Sequence, residues 1–526
     1  MGLVVVLASC GVFSSDDPTT TEGSSGGTPD QNAKPPGVDG APLEGVFVSF
    51  SKGNDATGDG SQEKPLGSIG AGLRKGQTDR KRVLVCAETY AEQVTLIDGV
   101  SMYGYFDCSG APWKLDETKR AKIAPTKSPA VRAENLKEPT RLEGFEIVGP
   151  ELGPRAAGDE APFVVSSVGV FVTGSKNVVF SKSTIAGGHG ADGVDGLGGG
   201  VVTSTATRTP QRGKNEGACA SPLVCSGANP SMNPGGQGGL FKCDGVDGNP
   251  GGTGGGGCQK SATEPKNSCY FTALGSAGDP TPGTSQIASG GALVSTPLTM
   301  GANGVDGSPG TTGAAGASGR LSLDVAGPGV IDGSVGDNGA SGQGGGGGGG
   351  LGWSYDGNRD LAASGGGGGA GGCGGRRASR GGWSGGSSVG IYVVASTIAL
   401  EKATIRGGLG GRAGAGQNGA DGAAGSAGAD GGDNYTSNMD CTVGGVRTFC
   451  SAGKGGRGGN GGRGGASGHG VAGASFAVVQ VGASELKQDA DTKLEAGKGG
   501  AGAPAIAGTT VTAMPDGLTD TIFKQP

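Results

Sequence analysis

The sequence predicts an all-β chain: a right-handed parallel β-helix, or solenoid, interrupted by long glycine-rich insertions. Three observations predict it: short strand-like runs between turn residues, an internal repeat, and a composition unsuited to helices. Of 526 residues, 121 are glycine and only 4% are aromatic. Glycine costs about 1 kcal/mol relative to alanine in a helix, so long helices are unfavourable. A solenoid accepts this composition, because each coil needs only a few stacked apolar side chains.

Short β-rich runs begin at Val46 and recur about every ten residues, the spacing of an all-β array. The first four occupy residues 46–48, 83–86, 94–96 and 101–103. Residues typical of turns, chiefly glycine, aspartate and asparagine, separate these runs.

An internal repeat gives the strongest support for stacked coils. Residues 166–172 (SSVGVFV) recur as residues 387–393 (SSVGIYV), and both copies continue into a second and third run. A weaker third copy spans 474–497. Because side chains alternate along a strand, we expect Val168, Val170 and Val172 on the core face, with Gly169 and Phe171 outward. A duplicated strand pair in a β-sandwich is the alternative interpretation.

Glycine dominates the chain between and after the copies, with a strict period of three in two places. One series runs from Gly301 to Gly319 and the other from Gly416 to Gly431. Collagen is excluded, because the chain has only 27 prolines and each series ends within seven glycines. Two hypotheses remain open: extended, polyproline-II-like segments packed together, and flexible disorder.

The N-terminal part of the array resembles bacterial β-helix proteins of the pectate-lyase-like superfamily. The glycine- and aspartate-rich stretch 53–61 and the element at 64–69 (KPLGSI) carry the resemblance, which covers residues 44–190. It implies a short capping helix, expected here at 70–76. The glycine tracts resemble PGRS-type repeats and, more distantly, glycine-rich antifreeze proteins.

The first ten residues resemble a bacterial lipobox, formed here by Leu7, Ala8, Ser9 and Cys10. The resemblance implies an exported lipoprotein at the outer membrane or cell surface, anchored to the membrane by a lipid on Cys10. The preceding apolar run is five residues long and lacks a basic start, so it is shorter than a typical signal peptide. The alternative is an ordinary N-terminal strand.

Ten further cysteines suit an oxidising compartment, and we expect disulfides rather than a metal site because the chain has only two histidines. Cys86 and Cys108 are 22 residues apart, about one coil, which places them within disulfide reach on adjacent rungs. The candidates are Cys86, Cys108, Cys219, Cys225, Cys243, Cys258, Cys269, Cys373, Cys441 and Cys450.

No catalytic residues are assigned from the sequence. Gly-His-Gly triplets at 188–190 and 468–470 match a turn of polygalacturonase-type enzymes, but no neighbouring aspartate pair accompanies them, and no carboxylate cluster is evident on the repeat strands. Residues 187–195 resemble one calcium-binding nonapeptide of RTX proteins, so Asp192 and Asp195 are candidate calcium ligands; solvated loop carboxylates are the alternative. Calcium is the only cofactor that the sequence suggests.

The arginine- and glycine-rich run at 455–465 resembles an RNA-binding RGG box. The net charge of −6 argues against nucleic acid as a partner, because a net positive field for phosphates is missing. In an acidic exported chain we interpret the run as a solvated basic loop, with contact to an acidic polysaccharide as the alternative.

We therefore expect a non-catalytic surface or periplasmic module that is structural, adhesive or glycan-binding, with an extracellular polysaccharide as partner. The alternatives are a polysaccharide lyase or hydrolase of the same fold, and an ice- or matrix-binding protein. The expected organisation is a signal (1–10), a disordered tether (11–43), the cap and first coils (44–186), a glycine-rich insertion (187–386), a coil (387–406), a second insertion (407–470), and C-terminal coils with a cap (471–526).

Overall fold

The computed structural model describes residues 43–157, 159, 161–214, 235–256, 302–355, 359–433, 440–443, 446–449 and 451–526. Strands dominate it, with two helices, α1 (Ile69–Asp79) and α2 (Pro162–Val165). The strands of the first half are β1 (Val46–Val48), β2 (Val83–Cys86), β3 (Thr89–Tyr90), β4 (Val94–Thr95), β5 (Met102–Asp107), β6 (Lys114–Leu115), β7 (Ala121–Ile123), β8 (Val131–Glu134), β9 (Thr140–Glu143), β10 (Phe145–Val148), β11 (Ser167–Thr173), β12 (Val178–Ser181), β13 (Thr184–Ala186), β14 (Ser204–Arg208), β15 (Leu240–Cys243) and β16 (Val246–Asp247).

The remaining strands follow the first long glycine tract. They are β17 (Arg320–Asp324), β18 (Gly327–Ile331), β19 (Leu351–Tyr355), β20 (Arg359–Ala363), β21 (Ser388–Val394), β22 (Thr397–Glu401), β23 (Thr404–Arg406), β24 (Asp440–Val443), β25 (Val446–Phe449), β26 (Ser475–Val481), β27 (Glu485–Gln488), β28 (Lys493–Glu495) and β29 (Thr519–Gln525). In the described part of the chain, no helix is both long enough and apolar enough to cross a membrane.

Three parallel sheets form the body of the molecule. Sheet A has the order β1-β2-β5-β9-β12-β22-β27, sheet B the order β3-β7-β10-β13-β23-β28, and sheet C the order β4-β8-β11-β21-β26-β29. The chain visits the sheets in the same cyclic order, coil after coil. This is the arrangement of a parallel β-solenoid, as the sequence predicts.

The repeated sequences occupy adjacent coils in exact alignment of their residues. Val168 pairs with Val389, and Val170 with Ile391, in sheet C. Val178 pairs with Ile398 in sheet A, and Ile185 with Ile405 in sheet B. The weaker third copy forms the next coil, where Leu494 stands at the position of Ile405. About two hundred residues separate the first two copies along the chain, yet the copies are direct neighbours in space.

The core runs through the centre of the three sheets and contains Val170 and Val172, as expected. Val168 does not follow the expected alternation. It belongs to a second apolar cluster with Phe171 and Tyr392, which also contains Leu323 of the β17–β18 hairpin. The regular pairing of sheet C skips Gly169 and Gly390. The inward–outward alternation of side chains is therefore interrupted at these glycines.

The capping helix α1 is longer than the expected 70–76 and closes the β1 end of the solenoid. Ser68 caps its first turn by accepting a hydrogen bond from the Ala71 N–H at 3.1 Å. A Cβ at Gly72 would lie 2.4 Å from the Val48 side chain, so this glycine permits close packing on β1. Gly76 is similarly confined, since a Cβ there would lie 2.8 Å from the Lys81 carbonyl oxygen, so two glycines that weaken the helix are required by its packing.

The long insertions all leave the solenoid at the corner between sheets B and C, after β10, β13, β23 and β28. Buried serines hold the exits in place. Ser167 donates to the Pro150 carbonyl and accepts from the Gly188 N–H, and Ser388 accepts from the Gly408 N–H at 2.8 Å. The second serine of the repeated pair thus binds the exits that follow β10, β13 and β23.

Outside this corner, extended segments pack side by side into what we call the glycine array. Its main members are residues 302–319, 332–350, 364–386, 408–432 and 452–473. Hydrogen bonds between them recur every third residue: Gly304, Gly307 and Gly310 donate to the carbonyls of Lys454, Arg457 and Asn460 at 2.7–2.8 Å. Three residues per turn is the period of polyproline II, whereas a strand repeats every two residues.

The segment 364–386 lies at the centre of the array. Three successive residues, Gly365, Gly366 and Gly367, donate to three different neighbours, the carbonyls of Gly255, Gly453 and Gln211. A Cβ on these three glycines would lie 1.9–2.1 Å from backbone oxygens of Gly348, Ala429 and Gln237. No side chain fits on any side, which explains an unbroken glycine run here.

Outer segments need glycine only where they face the array. In 302–319, a Cβ at Gly304 would lie 2.0 Å from the Gly346 oxygen, while Asn303, Val305 and Asp306 between the glycines are exposed. Consecutive glycines in the sequence therefore indicate a central segment, and one glycine in three indicates a segment at the periphery.

We predict that Gly372→Ala strongly destabilises the protein, because its Cβ would lie 2.0 Å from the Ala423 carbonyl oxygen and backbone would have to move. Overpacking of this kind costs about 1–3 kcal/mol or more. Thermal unfolding followed by circular dichroism measures it. Gly153→Ala is the control, since nothing lies within 4 Å of a Cβ there. Equal unfolding midpoints for both variants would contradict the packing described.

Candidate functional site

The outer face of sheet A carries a cluster of charged side chains that we call the sheet A network: Arg141, Glu143, Lys182, Glu117 and Glu401. Tyr103, Glu143, Ser181 and Glu401 occupy the same register position in four successive strands. Because successive rungs of a sheet lie about 4.8 Å apart, long side chains at this position meet.

Arg141 and Lys182 are shared between the acids of this network. The Arg141 guanidinium binds Glu143 and Glu401, each at 2.7 Å, and donates to the Ser181 hydroxyl. Lys182 binds Glu117 at 2.6 Å and Glu143 at 3.2 Å. Glu143 is fully buried, so both cations compensate a charge removed from water.

The electrostatics oppose a catalytic role for either cation. Burial acts to lower the pKa of Lys182, but Glu117 and Glu143 outweigh it and the pKa is raised. Burial also acts to lower the pKa of Arg141, but its hydrogen bonds to Glu401 and Glu143 outweigh that effect and the pKa is raised. A base for proton abstraction needs a pKa near the working pH, so both shifts go in the wrong direction. The geometry suits an electrostatic brace across three coils.

Sequence reasoning missed this convergence. No carboxylate cluster was expected on the repeat strands, yet Glu143 and Glu401 are both bound by Arg141 there although 258 positions separate them. One signal was available: Ser181 and Glu401 fill the position that follows the matched runs at 178–180 and 398–400, so the repeat alignment already placed them side by side.

Disulfides were expected, and two occur among the described residues. Cys86 is joined to Cys108 and Cys243 to Cys373, with Cα–Cα distances of 5.8 and 5.5 Å. The second bond links the β15–β16 hairpin to the central segment of the glycine array. Cys441 lies in β24, but its side chain is outside the described part of the structure. The other candidates lie outside the described residues: Cys10, Cys219, Cys225, Cys258, Cys269 and Cys450.

Asp192 and Asp195, the candidate calcium ligands, lie on an edge of the glycine array and accept hydrogen bonds from residues 412–415. Asp192 accepts from the Arg412 N–H at 2.8 Å, and Asp195 from the Ala415 N–H and the Arg412 guanidinium. The backbone bond from Ala415, opposed by burial and aided by Arg412, lowers the pKa of Asp195. In the described chain, no three His, Cys, Asp or Glu residues form a metal-binding group. The three-residue spacing that resembles a calcium repeat here matches the period of the array.

The two Gly-His-Gly triplets lie in different environments. His189 is partly exposed, with its Nε2 3.7 Å from Asp192. His469 is fully buried, its Nδ1 accepts from the Gly416 N–H at 2.9 Å, and burial lowers its pKa. Neither triplet is joined to a pair of carboxylates by the contacts described. The triplets follow from the three-residue glycine pattern of the array.

The two arginines of the RGG-like run, Arg457 and Arg463, lie on segment 452–473 in one row with Lys454 and Asn460, which places a polar side chain at every third residue. Lys454 binds Asp430 at 3.2 Å and Arg463 binds Asp421 at 3.3 Å, both on the neighbouring segment 408–432. Two of the three cations in this row, Lys454 and Arg463, are paired with acids, which reduces the attraction of the row for a polyanion.

A cleft of about 560 Å³ opens beside the capping helix. Phe50, Tyr90, Asn54, Asp55 and Glu92 contribute to its walls. Glu92 accepts from the Ile69 and Gly70 N–H groups, and Asp55 accepts from the Gly67 and Ser68 N–H groups and from the Ser68 hydroxyl. Both carboxylates are thereby held in fixed orientations at the start of α1.

No family model matches the chain, and no curated protein matches it. Two solved structures are similar to 28% of the chain. One is the GH136 lacto-N-biosidase from Eubacterium ramulus (18% identity, 27% of that chain, TM-score 0.21), and the other is pectin methylesterase PemA from Erwinia chrysanthemi (14% identity, 47% of that chain, TM-score 0.18). The chain therefore spans well under two thirds of either structure. Similarity this low carries no argument about activity.

We predict that Arg141→Met lowers the free energy of unfolding by about 3 kcal/mol, because the buried Glu143 carboxylate loses one of its two cations. Chemical denaturation at neutral pH measures the change. The control is Arg406→Met, which removes an ion pair to Glu495 whose partners are both about half exposed; surface pairs contribute under about 1 kcal/mol. A loss at Arg141 no larger than at Arg406 would contradict a bracing role.

Proposed function

We propose that this chain is a bacterial cell-surface module: a right-handed β-helix that carries a rigid polyproline-II-type glycine array and binds glycans without turnover. The observation that carries the proposal is the array itself. Its segments bond to their neighbours every third residue, and its central backbone is enclosed on all sides. Such a body is stiff and needs no ligand to order it, which suits a structural or adhesive role.

The second candidate, a polysaccharide lyase or hydrolase, is favoured by one observation, the convergence of acids and bases in the sheet A network. Two features weigh against it. Each cation there is already bound to two carboxylates, and the raised pKa of Lys182 keeps it protonated. Ice binding finds less support, because the exposed positions of 302–318 mix Asn303, Asp306, Thr311 and Ala314 rather than repeating one residue type.

The turnover experiment decides between binding and catalysis. The full mature chain is incubated with neutral and acidic polysaccharides, with and without added calcium, and released oligosaccharides are measured by mass spectrometry. We expect no product and no effect of calcium. An unsaturated or hydrolytic product that disappears in Glu117→Gln would establish the enzyme instead, since Glu117 is the more exposed acid that contacts Lys182.

Export as a lipoprotein is a further part of the proposal and depends on Cys10. In cells of a suitable bacterial host, metabolic labelling with an alkyne-bearing fatty acid should label the wild-type chain and bring it to the membrane fraction. Cys10→Ser should abolish both. The control is Ser9→Ala, which keeps a small residue before the cysteine. Equal labelling of the Cys10→Ser variant would contradict lipidation at this position.

A further inference from the structure

We propose that the cleft beside the capping helix is a binding site for an uncharged glycan chain, with the ring of Phe50 as its stacking surface. This inference rests on the proposed function, whose glycan-binding part it assigns to particular residues. Phe50 lies two residues after the end of β1 and lines the cleft with Asn54, Asp55, Tyr90 and Glu92.

The exposure of Phe50 is the first observation behind it. Phe50 is 65% exposed, whereas Tyr90 next to it is 1% exposed, and the large aromatic side chains of the described coils lie in the apolar clusters. A phenylalanine side chain with most of its surface in water gives the fold little burial energy. Its flat apolar face is instead available to a partner that has an apolar face of its own, such as a pyranose ring.

The second observation is that the exposed ring is held in place. Tyr90 contacts it at a centroid distance of 6.3 Å with the rings nearly perpendicular. The carboxylate of Glu88 accepts from the Ser49 hydroxyl and from the Ser51 N–H, one residue to either side of Phe50. Lys52 reaches the Cys108 carbonyl, next to the Cys86–Cys108 disulfide. A ring fixed in this way loses little conformational entropy on binding.

The third observation is the set of oriented acceptors across the cleft. Glu92 and Asp55 use only part of their capacity, because a carboxylate has about four acceptor positions. Asn54 accepts from the Ala56 and Thr57 N–H groups through Oδ1, which leaves the two N–H donors of its amide directed away from that turn. Donors and acceptors beside an aromatic surface match the hydroxyl groups around the rim of a sugar.

Charge selects the class of glycan. Burial acts to raise the pKa of Asp55, but hydrogen bonds from Ser68 and Gly67 outweigh it and the pKa is lowered, so this carboxylate stays ionised. Among the described residues that line the cleft there is no lysine, arginine or histidine. Uronates and sulfated sugars would meet repulsion, whereas neutral hexoses and N-acetylhexosamines would not. The volume of about 560 Å³ falls in the range of small-ligand sites.

The test compares binding of the full chain and three variants to neutral polysaccharides (cellulose, chitin, laminarin and galactomannan) and to acidic ones (polygalacturonate and alginate). Affinity electrophoresis is used for the soluble polymers and depletion assays for the insoluble ones. The variants are Phe50→Ala, Phe50→Tyr, which keeps the ring, and Leu518→Ala, a matched exposed apolar residue at the other end of the solenoid. Thermal unfolding shows that each variant is folded.

We expect the wild type to bind at least one neutral polymer more tightly than the acidic ones. Phe50→Ala should weaken that binding by about tenfold, and Phe50→Tyr and Leu518→Ala should leave it within about twofold. Neutral binding that Phe50→Ala leaves intact would overturn the cleft as the site and leave the proposed function standing. Tighter binding to the acidic polymers, or no binding to any neutral polymer, would also overturn the inference. Product release in the turnover assay would overturn the proposed function separately.

Discussion

Extended three-fold segments have no hydrogen bonds of their own, so every N–H and C=O must find a partner on a neighbouring segment. In the glycine array, that requirement brings backbones so close that a Cβ would lie about 2 Å from a carbonyl oxygen at one position after another. Only glycine permits such contact. The glycine pattern of the array follows from this constraint, since the run Gly365–Gly369 of the central segment needs glycine at consecutive residues and outer segments need it at every third.

The solenoid supplies what the array lacks, a fixed frame at its edge. The insertions depart from one corner, and serines of the repeat bind their first residues: Ser167 donates to the Pro150 carbonyl, and Ser388 accepts from the Gly408 N–H. Arg155, almost fully buried, binds Asp332 and the Ser384 carbonyl and stacks on Trp383, so it fastens three stretches of chain to one another. The register of the β-helix thereby sets the register of the segments outside it.

Charges on this molecule mostly hold segments together. Asp192 and Asp195 accept hydrogen bonds from backbone N–H groups at an edge of the array. The sheet A network joins three coils through Arg141. Motifs that resemble catalytic or metal-binding sequences recur because a period of three and abundant glycine produce such triplets readily. The cleft at Phe50 differs, because there an apolar ring is held rigidly in water.

The sequence by itself determined the all-β class, the stacking of the repeat copies and the reach of Cys86 to Cys108, because each depends on local pattern or on one coil length. The capping helix was expected only from the family resemblance, and its glycines weaken any local signal for it. The sequence left open whether the glycine tracts are ordered, since a three-residue period of glycine is compatible both with packed polyproline-II-like segments and with flexible disorder. Tertiary structure alone decided the direction of the Val168 side chain, the binding of Glu143 and Glu401 by one arginine, and the bond from Cys243 to Cys373. Each depends on which distant segments become neighbours, and that is fixed only when the coils and the array pack together.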